Sequence, residues 1–147
     1  MPTSPPPRFF RLLLIEDDVE RVHSVRTWLP PWARLVWAQS AGGALGLIRR
    51  DPGQVYGGVM LDHDLAQRAM TAEDATLSGS DVALALIAHF SPDIPILVHS
   101  TNQVQVPRVV RQLEEQGFWV TRRPWYEMTE AAFIAWIEEA RELWEEL

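Results

Sequence analysis

Nine polar side chains carry most of the chemistry this sequence can perform: Glu16, Asp17, Asp62, His63, Asp64, His99, Ser100, Asn102 and Arg123. Glu16 and Asp17 close one short apolar run, Asp62 closes a second, and His99-Ser100 close a third. Carboxylates gathered in a partly dry crevice repel one another unless a cation neutralises them. Oxygen ligands from Glu16, Asp17 and Asp62 suit a hard ion, Mg²⁺ or Mn²⁺, which keeps waters and bridges to a phosphate. Such an ion beside Asp62 would activate water and offset the charge of a phosphoester. His63 or His99 can move protons near neutral pH. Arg123 can grip phosphate oxygens as a planar fork. Taken singly, each acid reads as a solvated helix cap; the set makes a cation site.

The catalytic candidates are therefore Asp62, His63, His99 and Asp64. Which imidazole turns inward is open. In an extended run Asp62 and Asp64 point one way and His63 the other, and the same alternation separates His99 from Ser100.

Positioning these groups falls to alternating strands and helices. Residues 11–15 form a short apolar run ended by acids, the mark of a buried parallel strand. Val19, Val22, Val25 and Leu29 recur at helical spacing until Pro30-Pro31 stop the helix. Residues 33–38 and 57–61 read as strands, with Ser40 capping the helix between them. A polar segment, 66–78, precedes a helix over 81–90. Residues 95–98 form a fourth strand, Val106 to Leu113 a helix halted at Gly117, and 118–121 a fifth strand. Thr129 can cap a last helix whose Phe133, Trp136, Ile137, Ala140 and Trp144 make an apolar stripe. The pattern predicts an α/β fold: a doubly wound, five-stranded parallel sheet in three layers, α/β/α. Ligands in open sheets of this kind lie beyond the carboxyl ends of the strands, where all nine polar residues fall.

Composition narrows the function. The chain has 147 residues and a formal net charge of -7, with no basic stripe to clamp a long nucleic acid. All 13 basic residues are arginine. Cysteine is absent, so thiolate chemistry is excluded. No apolar run reaches membrane-span length, and a cytoplasmic location is expected. Residues 1–8 read as a flexible proline-rich tail and 9–147 as one domain, which leaves no room for a DNA-binding output domain. The Trp28-to-Trp32 corner is either a partner surface or folded onto the domain. Trp125 reads as packing more readily than as a base-stacking platform.

Leu14-Ile15-Glu16-Asp17-Asp18, Met60-Leu61-Asp62, the run from Pro95 to Ser100, and Arg123-Pro124, in that order, resemble the receiver domain of two-component response regulators. The resemblance covers nearly the whole chain after the tail. It implies Mg²⁺ at Glu16 and Asp17, a phosphoryl acceptor at Asp62, and phosphate contacts from Ser100 and position 123. The family carries lysine at that last position; arginine here reads equally as function or as the chain's lack of lysine. The Asp62-His63-Asp64-Leu65 run, the insertion before Ser78-Gly79-Ser80-Asp81, and His99-Ser100-Thr101-Asn102 are similar to a divergent branch, the cyclic-phosphate-processing receiver domains. That likeness implies a metal-dependent phosphoesterase acting on a phosphorylated small molecule or RNA end, with Asn102 among the phosphate contacts. The alternatives are a single-domain regulator that takes phosphate from a histidine kinase and signals to a partner, and a degenerate receiver used only for interaction. A homodimer is left open.

Overall fold

Apolar side chains alternate along the central strands, and the alternation supplies a core to both faces of one sheet. In the computed structural model, which describes residues 9–66, 68–69 and 71–147, five strands run parallel in the order β2-β1-β3-β4-β5. They are β1 Phe10–Ile15, β2 Ala33–Ala38, β3 Gly58–Leu61, β4 Ile96–Val98 and β5 Val120–Arg122. The helices between and after them are α1 Val19–Trp28, α2 Ala41–Arg50, α3 Gly79–His89, α4 Val106–Glu115 and α5 Glu130–Glu145. The expected tail, residues 1–8, lies outside the described residues.

Leu13, Ile15, Val59, Leu61, Ile96 and Val98 face one way and pack with Ile48 of α2, Leu86 of α3 and Leu113 of α4. Their neighbours Leu12, Leu14, Met60 and Leu97 face the other way, against Val22 and Val25 of α1 and Phe133 and Ile137 of α5. The sheet is therefore wound on both sides, as its sequence pattern predicts. Trp136 and Trp144 are buried on the inner stripe of α5, as expected. The Trp28-to-Trp32 corner folds onto the domain: Trp32 meets Phe10 edge-on at 5.4 Å, and Trp28 stacks on Trp125 at 5.9 Å.

Most element ends fall within two residues of the sequence expectation, and the two-residue difference at the start of α3 bears on the site. This helix starts at Gly79 rather than Asp81 because Ser78 and Asp81 form a reciprocal capping box. Its first turn is docked on the backbone that leaves β3. The Gly79 N–H donates to His63 O at 2.9 Å. A Cβ on Gly79 would stand 2.5 Å from Asp62 O and 2.6 Å from His63 Cα, so only glycine permits the approach.

Gly79→Ala should therefore lower stability by about 1–3 kcal/mol, because backbone rather than a flexible side chain blocks the methyl group. Gly46→Ala is the control. A Cβ there meets nothing within 4 Å, and alanine inside a helix should stabilise by about 0.5–1 kcal/mol. Urea unfolding of both variants measures the contrast; equal midpoints would contradict the tight docking of α3.

Candidate metal and phosphate site

Strand register builds the centre of the site. Ile15 of β1 lies beside Leu61 of β3, and Leu61 lies beside Val98 of β4. The next residue on each strand is Glu16, Asp62 and His99. Pairing continues through them: Asp62 N donates to Ile15 O and His99 N to Leu61 O, each at 3.1 Å. Alternation then turns all three side chains toward the α1 and α5 side of the sheet. All three residues are buried, and one ligand atom from each lies within 4.8 Å of the other two.

Each member is held. His99 Nε2 stands 3.0 Å from Glu16 Oε1, while its Nδ1 has no hydrogen-bond partner among the described residues, so Glu16 is the ring's polar anchor there. Glu16 Oε2 accepts from the backbone N–H groups of Asp17 and Asp18 at 3.0 and 3.3 Å. Asp62 Oδ1 accepts from His63 N at 2.8 Å. Arg21, from the first turn of α1, places Nη1 3.5 Å from Glu16 Oε1 and 3.9 Å from Asp62 Oδ2.

The two carboxyls titrate in opposite directions. Burial pushes Asp62 up, and although the charge of His99 opposes this, the Glu16 carboxylate adds to it and the group reaches about 7. Burial also works against ionised Glu16. There the His99 hydrogen bond and charge, helped by Asp62 and Arg21, outweigh it and hold the group at about 2. Two buried carboxylates and an imidazole nitrogen on one spot could hold a divalent cation, whose charge would favour the ionised form of Asp62.

Asp17 does not join that compact group. It follows Glu16 by one residue, and the alternation that gathers Glu16, Asp62 and His99 leaves it among the walls of an open groove of about 560 Å³. Arg21, Asp62, His63 and Asp64 line the groove too, opposite Ala75, Thr76 and Leu77. That far wall is latched to α2, since Asp74 Oδ1 accepts the Gly42 N–H at 2.7 Å. Arg68 Nε donates to Asp17 O at 3.0 Å.

His63 and His99, which sequence left equivalent, have different surroundings. His99 is enclosed with Glu16, whereas His63 lines the groove. His63 Nε2 lies 3.0 Å from Ser80 Oγ and Nδ1 lies 3.3 Å from Asp64 Oδ1, which also accepts from Asn102 Nδ2 at 3.2 Å. A carboxylate facing Nδ1 selects the tautomer with the proton on that nitrogen. Asn102 Oδ1 accepts from the Val104 and Gln105 N–H groups at the entry to α4, so its amide is committed at both ends. Ser100 Oγ accepts from Asn102 N at 3.2 Å. Arg123 does not line the groove; its backbone N donates to Val98 O at 3.0 Å. Sequence reasoning missed Arg21, which reads as an ordinary first-turn helix residue. It also missed Ser80, although the Ser78-Gly79-Ser80-Asp81 run was conspicuous.

The fold is that of a receiver domain. A CheY-like receiver from Methanospirillum hungatei JF-1 superimposes with a TM-score of 0.67 at 16% identity, covering 95% of this chain and 99% of that one. The signal receiver domain of an HD domain-containing protein from Pseudomonas fluorescens Pf-5 gives 0.68 at 14% identity, covering 95% and 100%. The response regulator domain of Thermotoga maritima CheB gives 0.64 at 12% identity, covering 94% and 98%. Among curated proteins, no sequence matches the chain. The profile of the cyclic-phosphate processing receiver domain matches residues 12–115, and the chain belongs to that family. Among the described residues no helix is long and apolar enough to cross a membrane.

A pH dependence follows from the acid pair. Asp62 is raised from 3.8 to about 7, so its contribution to metal-free stability is fully present below pH 3.8 and is lost as pH rises through 7. Glu16 acts oppositely: its contribution is present above pH 4.5 and is lost toward pH 2. Between pH 5 and 8 the unfolding midpoint of metal-free protein should fall by on the order of 5 °C. Asp62→Asn should flatten that slope. Parallel profiles for the two proteins, followed by circular dichroism, would place the titrating group elsewhere.

Proposed function

We propose that this domain is a metal-dependent phosphoesterase that opens cyclic phosphates, such as those of nucleotides or RNA ends, in the groove above Asp62. The observation that carries the reading is the convergence of buried Glu16 and His99 on Asp62, which lines the groove together with a separately held imidazole, His63. Membership of the cyclic-phosphate processing family supports it.

Glu16 and Asp62 would hold Mg²⁺ or Mn²⁺, with His99 fixing the Glu16 carboxylate or joining it as a ligand, and Asp17 within reach from the groove wall. A bound cation supplies an acidified water and charge neutralisation on the phosphate. With its Nδ1–H kept on Asp64, His63 would take up a proton at Nε2, in exchange for the Ser80 contact, and pass that proton to the leaving oxygen. Ser80 and Asn102 keep that imidazole–carboxylate pair in place. The wall of Ala75, Thr76 and Leu77 narrows access to water, and the groove volume lies within the range of small-ligand sites rather than that of a long polymer channel.

The phosphoacceptor reading also has a specific support. Asp62 stands at the strand end where receiver domains carry their acidic site, with the groove open above it. The two readings separate experimentally. With Mg²⁺ or Mn²⁺, nucleoside 2′,3′-cyclic phosphates should be converted to monoesters, followed by chromatography. His63→Ala should slow turnover about a hundredfold without changing metal affinity. His99→Ala should weaken the metal itself. A stoichiometric, long-lived adduct on Asp62 after acetyl phosphate, seen by intact mass, would reverse the ranking in favour of signalling. Failure to bind or convert either cyclic or linear esters would eliminate the enzymatic reading.

A further inference from the structure

Arg21 has a place in the groove that no sequence motif marks. Its Nη1 lies 3.5 Å from Glu16 Oε1 and 3.9 Å from Asp62 Oδ2, and its Nε lies 3.8 Å from Asp18 Oδ2. These contacts are long for ion pairs. The guanidinium is suspended among three acids rather than forked onto one of them. It lies over the Trp125 ring, 5.6 Å from the centroid, and Trp125 in turn stacks on Trp28 with an interplanar angle of 19°. An indole shelf holds a planar cation by its face while leaving its edges, which carry the donors, free to change partner. Among the described residues that line the groove, Arg21 is the cationic side chain, and it is 23% exposed.

We infer that Arg21 is an exchangeable counter-ion, which balances Glu16 and Asp62 in the metal-free protein and becomes the phosphate-binding residue once a divalent cation takes those carboxylates. The inference rests on the metal and phosphoester reading above. One guanidinium and one divalent ion compete for the same oxygens, and the divalent ion carries twice the charge. Displaced from the acids but still on Trp125, the guanidinium presents unspent N–H donors to the groove, where they match two oxygens of a phosphate. The shelf explains why Trp125 belongs to the site without stacking on a base. It also supplies the cation that Arg123, outside the groove, does not.

Calorimetry on the full chain tests this with two probes: Mn²⁺ alone, and inorganic phosphate at saturating Mg²⁺. Arg21→Ala should bind Mn²⁺ about tenfold more tightly, because a competing cation is gone. It should bind phosphate at least about tenfold more weakly, because a charge-assisted pair of hydrogen bonds is lost. Arg21→Lys should keep wild-type Mn²⁺ affinity and recover only part of the phosphate affinity, lacking the fork. Opposite signs on the two probes are the signature, since a merely structural arginine would move both together or neither. Unchanged phosphate affinity in Arg21→Ala, or weakened Mn²⁺ binding, overturns the inference. A wild type that binds neither probe overturns it together with the metal site, whereas binding of both without turnover of any ester removes the phosphoesterase reading alone.

Discussion

The parallel register of β1, β3 and β4 is the constraint on which the site depends. Because Ile15, Leu61 and Val98 stand side by side, the residues that follow them emerge from the sheet together and on one side. Two acids and an imidazole are thereby forced into one small buried volume. A slip of one residue in either pairing would turn its member to the opposite face and dissolve the group. The core on both faces of the sheet, apolar at each of those positions, locks the register.

The rest of the neighbourhood can be understood as compensation for that forced meeting. Glu16 is ionised because His99 and two backbone N–H groups hold its charge, and Asp62 is left as the poorly compensated partner. Arg21 helps to hold the Glu16 charge and stands 3.9 Å from Asp62, resting on an aromatic stack formed by Trp125 and Trp28. The Trp28 corner therefore has a role at the site as well as in the core, and its packing transmits to the guanidinium. On the opposite rim, the capping box at Ser78 and Asp81 and the tight seat of Gly79 set where α3 begins, and with it where Ser80 meets His63. Stability and site geometry are thus carried by the same few residues.

Much of this was legible in the sequence, and what was not has physical reasons. Short apolar runs ending in acids disclose strands and the carboxyl edge they point to, so the fold and Glu16, Asp62 and His99 could be found. Periodicity does not disclose which strands are neighbours in what register. Without that, Asp17 looks equivalent to Glu16, although the two leave the strand toward different surroundings. Arg21 could not be singled out, because an arginine in the first turn of a helix is ordinary until the helix is placed over a crevice of acids. Arg123 is the reverse case: its position beside Pro124 is conspicuous in the chain, whereas it is not among the residues that line the groove. The partner of His63 depended on a tertiary docking, that of α3 on the β3 exit, which local pattern cannot supply.

The most direct measurement of the central claim is the location of a Mn²⁺ ion by anomalous diffraction from crystals grown with that ion. The account predicts one strong anomalous peak at the ends of β1, β3 and β4, at coordination distance from a carboxylate oxygen of both Glu16 and Asp62, with the Arg21 guanidinium drawn away from them. A peak bound elsewhere, or no peak while Arg21 keeps its place between the two acids, would contradict it.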